Sequence, residues 1–111
     1  MTDKIVVFSA CSSQHEAEKI AGMLVEKRLA ACVNLISGVQ SIYRWRGAVE
    51  RSKEIMLLIK STRELLPQLQ SEISKMHSYE VPEALAVPVV DGMESYLEWM
   101  DRELQPAGAR E

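Results

Sequence analysis

The fold is decided by residues 31–60, ACVNLISGVQSIYRWRGAVERSKEIMLLIK, a stretch without helical periodicity. Gly47 predicts a turn within it, because glycine tolerates the positive φ that tight hairpins require. The strands predicted on either side, Ala31 to Trp45 and Val49 to Lys60, are longer than the usual length of about five or six residues. Ser37-Gly38 interrupts the first strand and is typical of a bulge or bend. The sequence therefore predicts a long central β-hairpin.

Apolar residues occupy both alternating faces of the first long strand. One phase contains Ala31, Val33, Leu35, Val39, Tyr43 and Trp45, and the other contains Cys32, Ile36 and Ile42. Two short helices packed on one face of a sheet cannot cover apolar side chains on both faces. Long strand edges also promote aggregation unless they are paired. We therefore expect a homo-oligomer with a largely apolar, obligate interface.

A short strand and a helix precede the hairpin. The apolar, β-branched run from Lys4 to Ala10 predicts a buried strand. Ser13 and Glu16 then have the spacing of a capping box, which satisfies free N–H groups at a helix start. The helix that follows has one apolar face, formed by Ala17, Ile20, Ala21, Leu24 and Val25.

A second helix follows the hairpin. It is predicted to begin close to Pro67, because a helix tolerates proline in its first turn and not in its interior. The spacing of Ser61 and Glu64 leaves an earlier cap open as an alternative. The apolar stripe of this helix is formed by Leu66, Leu69, Ile73 and Met76.

A last strand and a third helix complete the pattern. Residues 84–90, ALAVPVV, predict a short strand, and Pro88 suits a sheet edge or a bulge because it lacks a ladder donor. The order β-α-β-β-α-β is that of an α+β, ferredoxin-like sandwich, here with an extra C-terminal helix. The stripe of that helix is formed by Met93, Tyr96, Leu97, Met100 and Leu104.

Composition restricts the function classes. The 111 residues are 47% hydrophobic and carry a formal net charge of −3, without a cluster of Lys and Arg. A nucleic-acid or anionic-membrane partner would require a basic surface, so neither is expected. The N-terminal apolar run is too short for a signal peptide, and no run is long enough to span a membrane. Two cysteines without a CxxC spacing are typical of reduced cytosolic thiols, so we expect a cytoplasmic protein.

Four segments, in this order along the chain, resemble the CutA family, the divalent-cation tolerance proteins. They are EKRLAACVNLISGVQSIYRWRG, EIMLLIKST, HSYEVPE and YLEW, and the match extends from about Ile5 to Met100. The resemblance implies a ferredoxin-like homotrimer, cytoplasmic in bacteria, whose long strands form the sheets between subunits. Residues 1–104 would then form a single CutA-like domain, followed by a flexible tail at residues 105–111.

His77 is the candidate metal ligand. The resemblance implies copper or another divalent cation, because a histidine in the family's H-x-Y-x-x-P-E segment belongs to a proposed copper site and His77 matches it. This chain departs from the family at three positions near that site. Met76 stands where some members have a second histidine, Ser9 where some have a cysteine, and Ser78 where proline is usual.

A single imidazole does not hold a metal ion by itself, because metal sites use three or four convergent ligands. The further ligands open to this chain are Cys11, Met76, Glu80 and Glu83, or groups from a neighbouring subunit. The alternative role of His77 is structural. An imidazole at a helix C-terminus stabilises the helix dipole or hydrogen-bonds the loop that follows.

A cleft between subunits is the second candidate site. CutA trimers resemble PII-type signalling trimers, which bind small ligands at subunit boundaries. By that analogy, the cleft would be lined by Tyr43, Trp45, Lys60, Glu83 and Trp99. The alternative is that the aromatic residues are packing residues. The acidic residues Glu50, Glu54 and Glu80 are interpreted as a solvated face rather than a cation site.

The two cysteines receive different interpretations. Cys32 lies among apolar residues of a predicted strand and is interpreted as a small buried hydrophobe. Cys11 is placed in the turn before the first helix, where the helix N-terminus could lower the pKa of its thiol. A plain turn residue is the alternative for Cys11.

The sequence favours a function without catalysis. The sequence has only two histidines and scattered acidic residues, from which no Ser–His–Asp, Cys–His or paired-carboxylate arrangement can be argued. Residues 9–14, SACSSQ, have neither the CxxC of a soft-metal chaperone nor the arginine and glycine of an acylphosphatase-type anion cradle. We therefore expect a trimeric cytoplasmic protein implicated in the binding and tolerance of divalent metal, chiefly copper. A PII-like signalling or scaffold module that binds a small molecule or a partner protein is the alternative.

Overall fold

The computed structural model describes residues 1–106, which form four strands and three helices. In chain order they are β1 (Lys4–Cys11), α1 (Gln14–Glu26), β2 (Cys32–Trp45), β3 (Ala48–Thr62), α2 (Leu66–Met76), β4 (Leu85–Pro88) and α3 (Glu94–Glu103). The strands form one antiparallel sheet in the order β2-β3-β1-β4. This is the ferredoxin-like arrangement with an added C-terminal helix, so the predicted fold class is confirmed.

The long hairpin follows the pattern that its glycines predict. Arg46 and Gly47 both have positive φ, 49° and 84°, which is the geometry of a two-residue type I′ turn. The pairing register shifts between Ile36 and Val39, where Gly38 has a φ of 73°. The predicted turn and the predicted bulge are therefore both confirmed. Beyond the end of β1, the hairpin continues as a two-stranded arm, and no third strand of residues 1–106 pairs with it.

One face of the sheet carries the core. Buried side chains of β1 and β3 pack there against the apolar stripes of α1 and α2, and the largest fully buried ones are Ile20, Leu24, Leu57, Ile59, Leu69 and Ile73. Ser13 caps α1, because its Oγ accepts a hydrogen bond from the backbone N–H of Glu16 at 3.1 Å. Val25 was predicted to belong to the apolar face of α1, and this prediction is wrong, because Val25 is 43% exposed. It lies in the last turn of α1, beside the exposed Glu26.

The start of α2 settles which cap is used. The helix begins at Leu66 with Pro67 in its first turn, as predicted. Ser61 belongs to β3 instead, and its hydroxyl donates a hydrogen bond to the carbonyl oxygen of Leu29 at 2.6 Å. The earlier cap at Ser61 is therefore not used.

The second face of the sheet is apolar and only partly covered. Phe8 pairs with Leu58 on one side and with Leu85 on the other, and Val6 pairs with Val87, so these five side chains share that face. We call them the open sheet face. Phe8, Val6 and Leu58 are half-buried, whereas Leu85 and Val87 on the edge strand β4 are exposed. The edge position predicted from Pro88 is confirmed, and apolar surface remains on the face opposite the core.

The C-terminal part of the chain is attached by α3. Met100 and Leu104 are buried, whereas Met93 and Tyr96, predicted to share their stripe, are exposed. Beyond α3, Gln105 donates hydrogen bonds from its backbone to Arg28 and from its side chain to Lys27. The remainder of the predicted tail, from residue 107 onward, lies outside the described residues. No helix within residues 1–106 is long and apolar enough to cross a membrane.

Candidate functional site

Three side chains that can bind metal converge where β1 ends. Cys11 is the last residue of β1, Glu16 lies in the first turn of α1, and His77 is the C-cap of α2. Their sulfur, oxygen and nitrogen atoms all lie within 4.8 Å of one another. We call Cys11, Glu16 and His77 the triad. The ferredoxin-like topology brings it together, because both helices start or end beside the same end of β1.

His77 is held by both of its ring nitrogens. Nε2 lies 2.7 Å from the carbonyl oxygen of Ala10, and since a carbonyl only accepts, Nε2 carries the proton and donates. Nδ1 accepts a hydrogen bond from the backbone N–H of Tyr79 at 3.1 Å. The residue is 9% exposed, and its ring lies against the Tyr79 ring at a centroid distance of 4.6 Å. His77 therefore makes the contact with the following loop that the structural alternative predicted.

Cys11 differs from its prediction. It was predicted to lie in the turn before the first helix, either as a plain turn residue or with a thiol pKa lowered by the helix N-terminus, but it is fully buried at the end of β1. Burial, together with the negative charges of Glu16 and Glu54, raises the pKa of its thiol above the ordinary value to about 11. The prediction is wrong because desolvation and two carboxylates outweigh the helix N-terminus. The Sγ atom lies 3.9 Å from Nε2 of His77.

Glu16 supplies the observation that makes the triad a candidate metal centre. One carboxylate oxygen, Oε2, accepts a hydrogen bond from the backbone N–H of Ser78 at 2.8 Å. The other, Oε1, is buried and has no hydrogen-bond partner among the described residues. A buried carboxylate oxygen without a donor is costly unless a cation or a water satisfies it. The donor set of sulfur, nitrogen and oxygen fits copper and other transition-metal cations.

Sequence reasoning missed Glu16 as a ligand and proposed others in its place. Glu16 was interpreted only through its capping-box spacing. Met76, Glu80 and Glu83 do not belong to the triad. Glu80 instead forms an exposed ion pair with Arg46 at 2.9 Å.

A cavity of about 520 Å³ lies between the hairpin arm and the segment from Ser78 to Glu83. Three of the five residues predicted for a cleft, Tyr43, Trp45 and Glu83, line it. Its other lining residues are Ala10, Ser41, Glu54, Ser78, Tyr79, Glu80 and Val81. The volume is that of a small-molecule site.

The other two predicted cleft residues lie elsewhere. Lys60 pairs with Val6 and Cys32 near the base of the hairpin and donates a hydrogen bond to Oδ1 of Asn34. Trp99 packs against the core from α3, and its ring lies 5.4 Å from that of Tyr96. The structure therefore separates the five residues into a cavity and a second region of the sheet.

Glu54 is the lining residue whose exposure differs most from the sequence-based prediction. It was interpreted as part of a solvated face, yet it is only 8% exposed and contacts Tyr79 of the segment from Ser78 to Glu83. Its Oε2 accepts a hydrogen bond from the Tyr79 hydroxyl at 2.6 Å. Burial and the Glu54 carboxylate both raise the pKa of Tyr79. Burial and the negative charge of Glu54 also raise the pKa of Glu83. The carboxylates of Glu54 and Glu83 therefore repel each other across the cavity.

The sequence and the fold are both similar to those of known proteins. The family model described as CutA1 divalent ion tolerance protein matches residues 5–103. The chain is 44% identical to the divalent-cation tolerance protein CutA of Thermus thermophilus over 95 residues, which are 86% of this chain and 92% of that protein. It is 44% identical to the protein CutA of Homo sapiens over 93 residues, which are 84% of this chain but only 52% of that protein.

The structural comparison agrees with the sequence comparison. The crystal structure of CutA from Xylella fastidiosa has a TM-score of 0.91 and 39% sequence identity, and the match covers 94% of this chain and 100% of that one. The match of the family model extends from β1 to the last residue of α3 and so includes both the triad and the cavity. The chain therefore belongs to the CutA1 divalent ion tolerance family.

Proposed function

We propose that this protein is a non-catalytic, cytoplasmic homotrimer that binds a divalent cation, copper in particular, and so contributes to divalent-cation tolerance. The observation that carries the proposal is the triad. A buried carboxylate oxygen of Glu16 without a hydrogen-bond partner among the described residues lies beside a thiol and an imidazole. The family's description as a divalent ion tolerance protein supports the same reading.

The chemistry of the triad suits a soft or borderline cation. Thiolate and imidazole are preferred ligands of copper, and a carboxylate adds negative charge. Cys11 must lose its proton to bind, and its raised pKa opposes that loss when no cation is present. A bound cation would favour the thiolate, so binding would release a proton and strengthen as pH rises.

His77 would have to exchange one interaction for another. Nε2 is the ring nitrogen that faces Cys11, and it would give up its hydrogen bond to Ala10 on binding a cation. A neutral imidazole carries one ring proton, so that proton would move from Nε2 to Nδ1, and Nδ1 would stop accepting the hydrogen bond from the backbone N–H of Tyr79. The other ring N–H of a metal-binding histidine typically donates to an acceptor that fixes the orientation of the ring.

The homotrimer accounts for the surface that the single chain leaves uncovered. The open sheet face is apolar, and β4 at the sheet edge is exposed. Burial of apolar surface contributes roughly 25 cal/mol per Å², so covering this face favours association. The number three rests on the family resemblance and is part of the proposal.

Equilibrium dialysis against Cu(II) tests the proposed metal site. Glu16→Gln keeps the size of the side chain but removes its charge, and we expect it to weaken Cu(II) binding by about tenfold or more. Glu26→Gln, at the exposed end of α1, is the matched control and should bind as the wild type does. Equal affinity in the wild type and both variants would remove the triad from the proposal.

The cavity supports a second candidate function. A PII-like module that binds a small molecule or partner protein needs a pocket of suitable size, and the cavity offers about 520 Å³. Its lining by Tyr43, Trp45 and Glu83 is the observation that favours this function.

A further inference from the structure

The cavity has aromatic walls. Tyr43 and Trp45 come from the arm of β2, and Tyr79 comes from the segment after α2. The Tyr43 hydroxyl accepts a hydrogen bond from Ser52 Oγ at 3.3 Å, which positions that ring on the arm. Tyr79 is tied to Glu54 through its hydroxyl. Three aromatic side chains therefore line one cavity from two different parts of the fold.

The cavity is also negatively charged. Its lining residues include Glu54, Glu80 and Glu83, and none of them is Lys, Arg or His. Glu80 is paired with Arg46 at 2.9 Å, which leaves Glu54 and Glu83. Neither of these two carboxylates forms an ion pair within residues 1–106.

The negative charge of Glu54 lies below the protein surface. The residue is 8% exposed, and within residues 1–106 its carboxylate accepts one hydrogen bond, from the neutral hydroxyl of Tyr79. A carboxylate that is removed from water without a positive partner is unfavourable. Glu83 is also desolvated and is further opposed by Glu54, as the raised pKa of Glu83 shows. Two partly desolvated carboxylates therefore face one cavity without a positively charged side chain beside them. This arrangement indicates a ligand that carries a positive charge.

The arrangement suits an organic cation better than a metal ion. Within the described residues, the acidic, cysteine and histidine ligand atoms that converge within 4.8 Å of one another are those of the triad. The three glutamates of the cavity do not converge in this way, so they cannot surround one small ion. Aromatic faces do not ligate hard cations, but they attract ammonium groups through the ring quadrupole. The chain itself shows this effect, because the Arg46 guanidinium lies 5.4 Å from the centroid of the Trp45 ring.

We propose that the cavity binds a small organic cation with an ammonium group, whose charge lies between Glu54 and Glu83 and whose alkyl groups contact Tyr43, Trp45 and Tyr79. The proposal rests on the second candidate function and specifies its ligand class. The ligand is a small molecule, because the volume of about 520 Å³ accommodates a molecule with several non-hydrogen atoms beside its charged centre. The triad and its metal are not required for this binding.

Matched pairs of ligands provide the test. Isothermal titration calorimetry on the protein would compare choline with its neutral isostere 3,3-dimethylbutan-1-ol, and n-butylammonium with its neutral isostere 1-butanol. We expect at least one of the cations to bind about tenfold or more tightly than its neutral partner. Glu54→Gln and Glu83→Gln should each weaken cation binding by about tenfold or more, because each removes one charge. Glu26→Gln, at a residue of α1 that does not line the cavity, should leave cation binding unchanged.

The outcomes separate this proposal from the function on which it rests. If the neutral isosteres bind as tightly as the cations, the cavity is a small-molecule site, but the proposal that it recognises a positive charge is wrong. If none of the four ligands binds, the organic-cation proposal is contradicted, and the small-molecule function of this cavity would require a ligand of different chemistry. Circular dichroism identifies a variant that does not fold, and Glu83→Gln, at a residue outside the strands, then provides the same test as Glu54→Gln.

Discussion

The Nε2 atom of His77 lies 2.7 Å from the carbonyl oxygen of Ala10 and so attaches the end of α2 to the end of β1. The same ring accepts a hydrogen bond from Tyr79, whose hydroxyl donates to Glu54 on β3. One short segment after α2 therefore completes two sites. On one side it closes the triad, and on the other it covers the acidic wall of the cavity.

Removal of His77 should destabilise the protein even without metal. His77→Ala leaves the carbonyl of Ala10 and the N–H of Tyr79 without their partners in a buried region. We expect the free energy of unfolding to fall by about 2–3 kcal/mol. Urea denaturation in the presence of a chelator, at one fixed protein concentration, measures this change.

The matched control for this stability change is the second histidine. His15 is exposed in the first turn of α1, so His15→Ala should change the free energy of unfolding by less than about 0.5 kcal/mol. Equal effects of the two substitutions would contradict the structural role of His77.

Cys11 should make stability depend on alkaline pH. Its folded-state pKa is raised to about 11 from 9.0, so the unfolded chain loses the thiol proton first as pH rises. The stability contributed by the neutral buried thiol is therefore fully present below pH 9.0 and is lost between pH 9.0 and about 11.

Comparison with Cys11→Ala isolates this contribution. Tyr79 and Lys4 also have raised pKa values, but they titrate in both proteins. We expect the difference in unfolding free energy between wild type and Cys11→Ala to shrink by about 2 kcal/mol across this range. A difference that stays constant with pH would show that the thiol is not desolvated as the structure indicates.

Two glycine substitutions test the turn of the hairpin. Gly47 has a φ of 84°, so Gly47→Ala forces an L side chain into a left-handed conformation and should destabilise the protein by about 1 kcal/mol. Gly22 lies within α1 with open space around it, so Gly22→Ala should stabilise by about 0.5–1 kcal/mol. Thermal denaturation should therefore shift in opposite directions. A shift of the same sign for both would contradict the positive φ at Gly47.

The open sheet face should be the surface of association. Val87 is 44% exposed on that face, and Val25, on α1, is 43% exposed, so the two valines form a matched pair. A lysine at position 87 would place a charge in the proposed apolar interface, whereas a lysine at position 25 would remain in solvent. Sedimentation velocity should show that Val87→Lys weakens the oligomer and that Val25→Lys does not. Dissociation by Val25→Lys alone would move the interface to the helical side.

Local patterns were sufficient to predict the hairpin. The turn at Gly47 and the bulge at Gly38 follow from residues that lie next to one another in sequence, and backbone pairing then fixes the register. The start of α2 near Pro67 is equally local, because proline restricts its own backbone. These predictions needed no knowledge of distant parts of the chain.

The site depended on contacts that the sequence does not reveal. Glu54 follows polar residues along β3, so it had the pattern of a solvent-facing residue, and its contact with Tyr79 comes from a segment distant in sequence. Glu16 fitted a helix cap. Its role as a candidate metal ligand is evident only in the folded structure, where His77 and Cys11 lie beside it. The residues next to Glu16 and Glu54 in the sequence do not indicate that either carboxylate is buried.

Native mass spectrometry of the purified protein with stoichiometric Cu(II) tests the proposed function most directly. The wild type and the His15→Ala control should each appear as a trimer with one copper ion per chain, and His77→Ala should appear as a trimer without copper. Equal copper uptake by all three proteins would show that the triad is not the metal site. A wild-type monomer would contradict the proposed assembly itself.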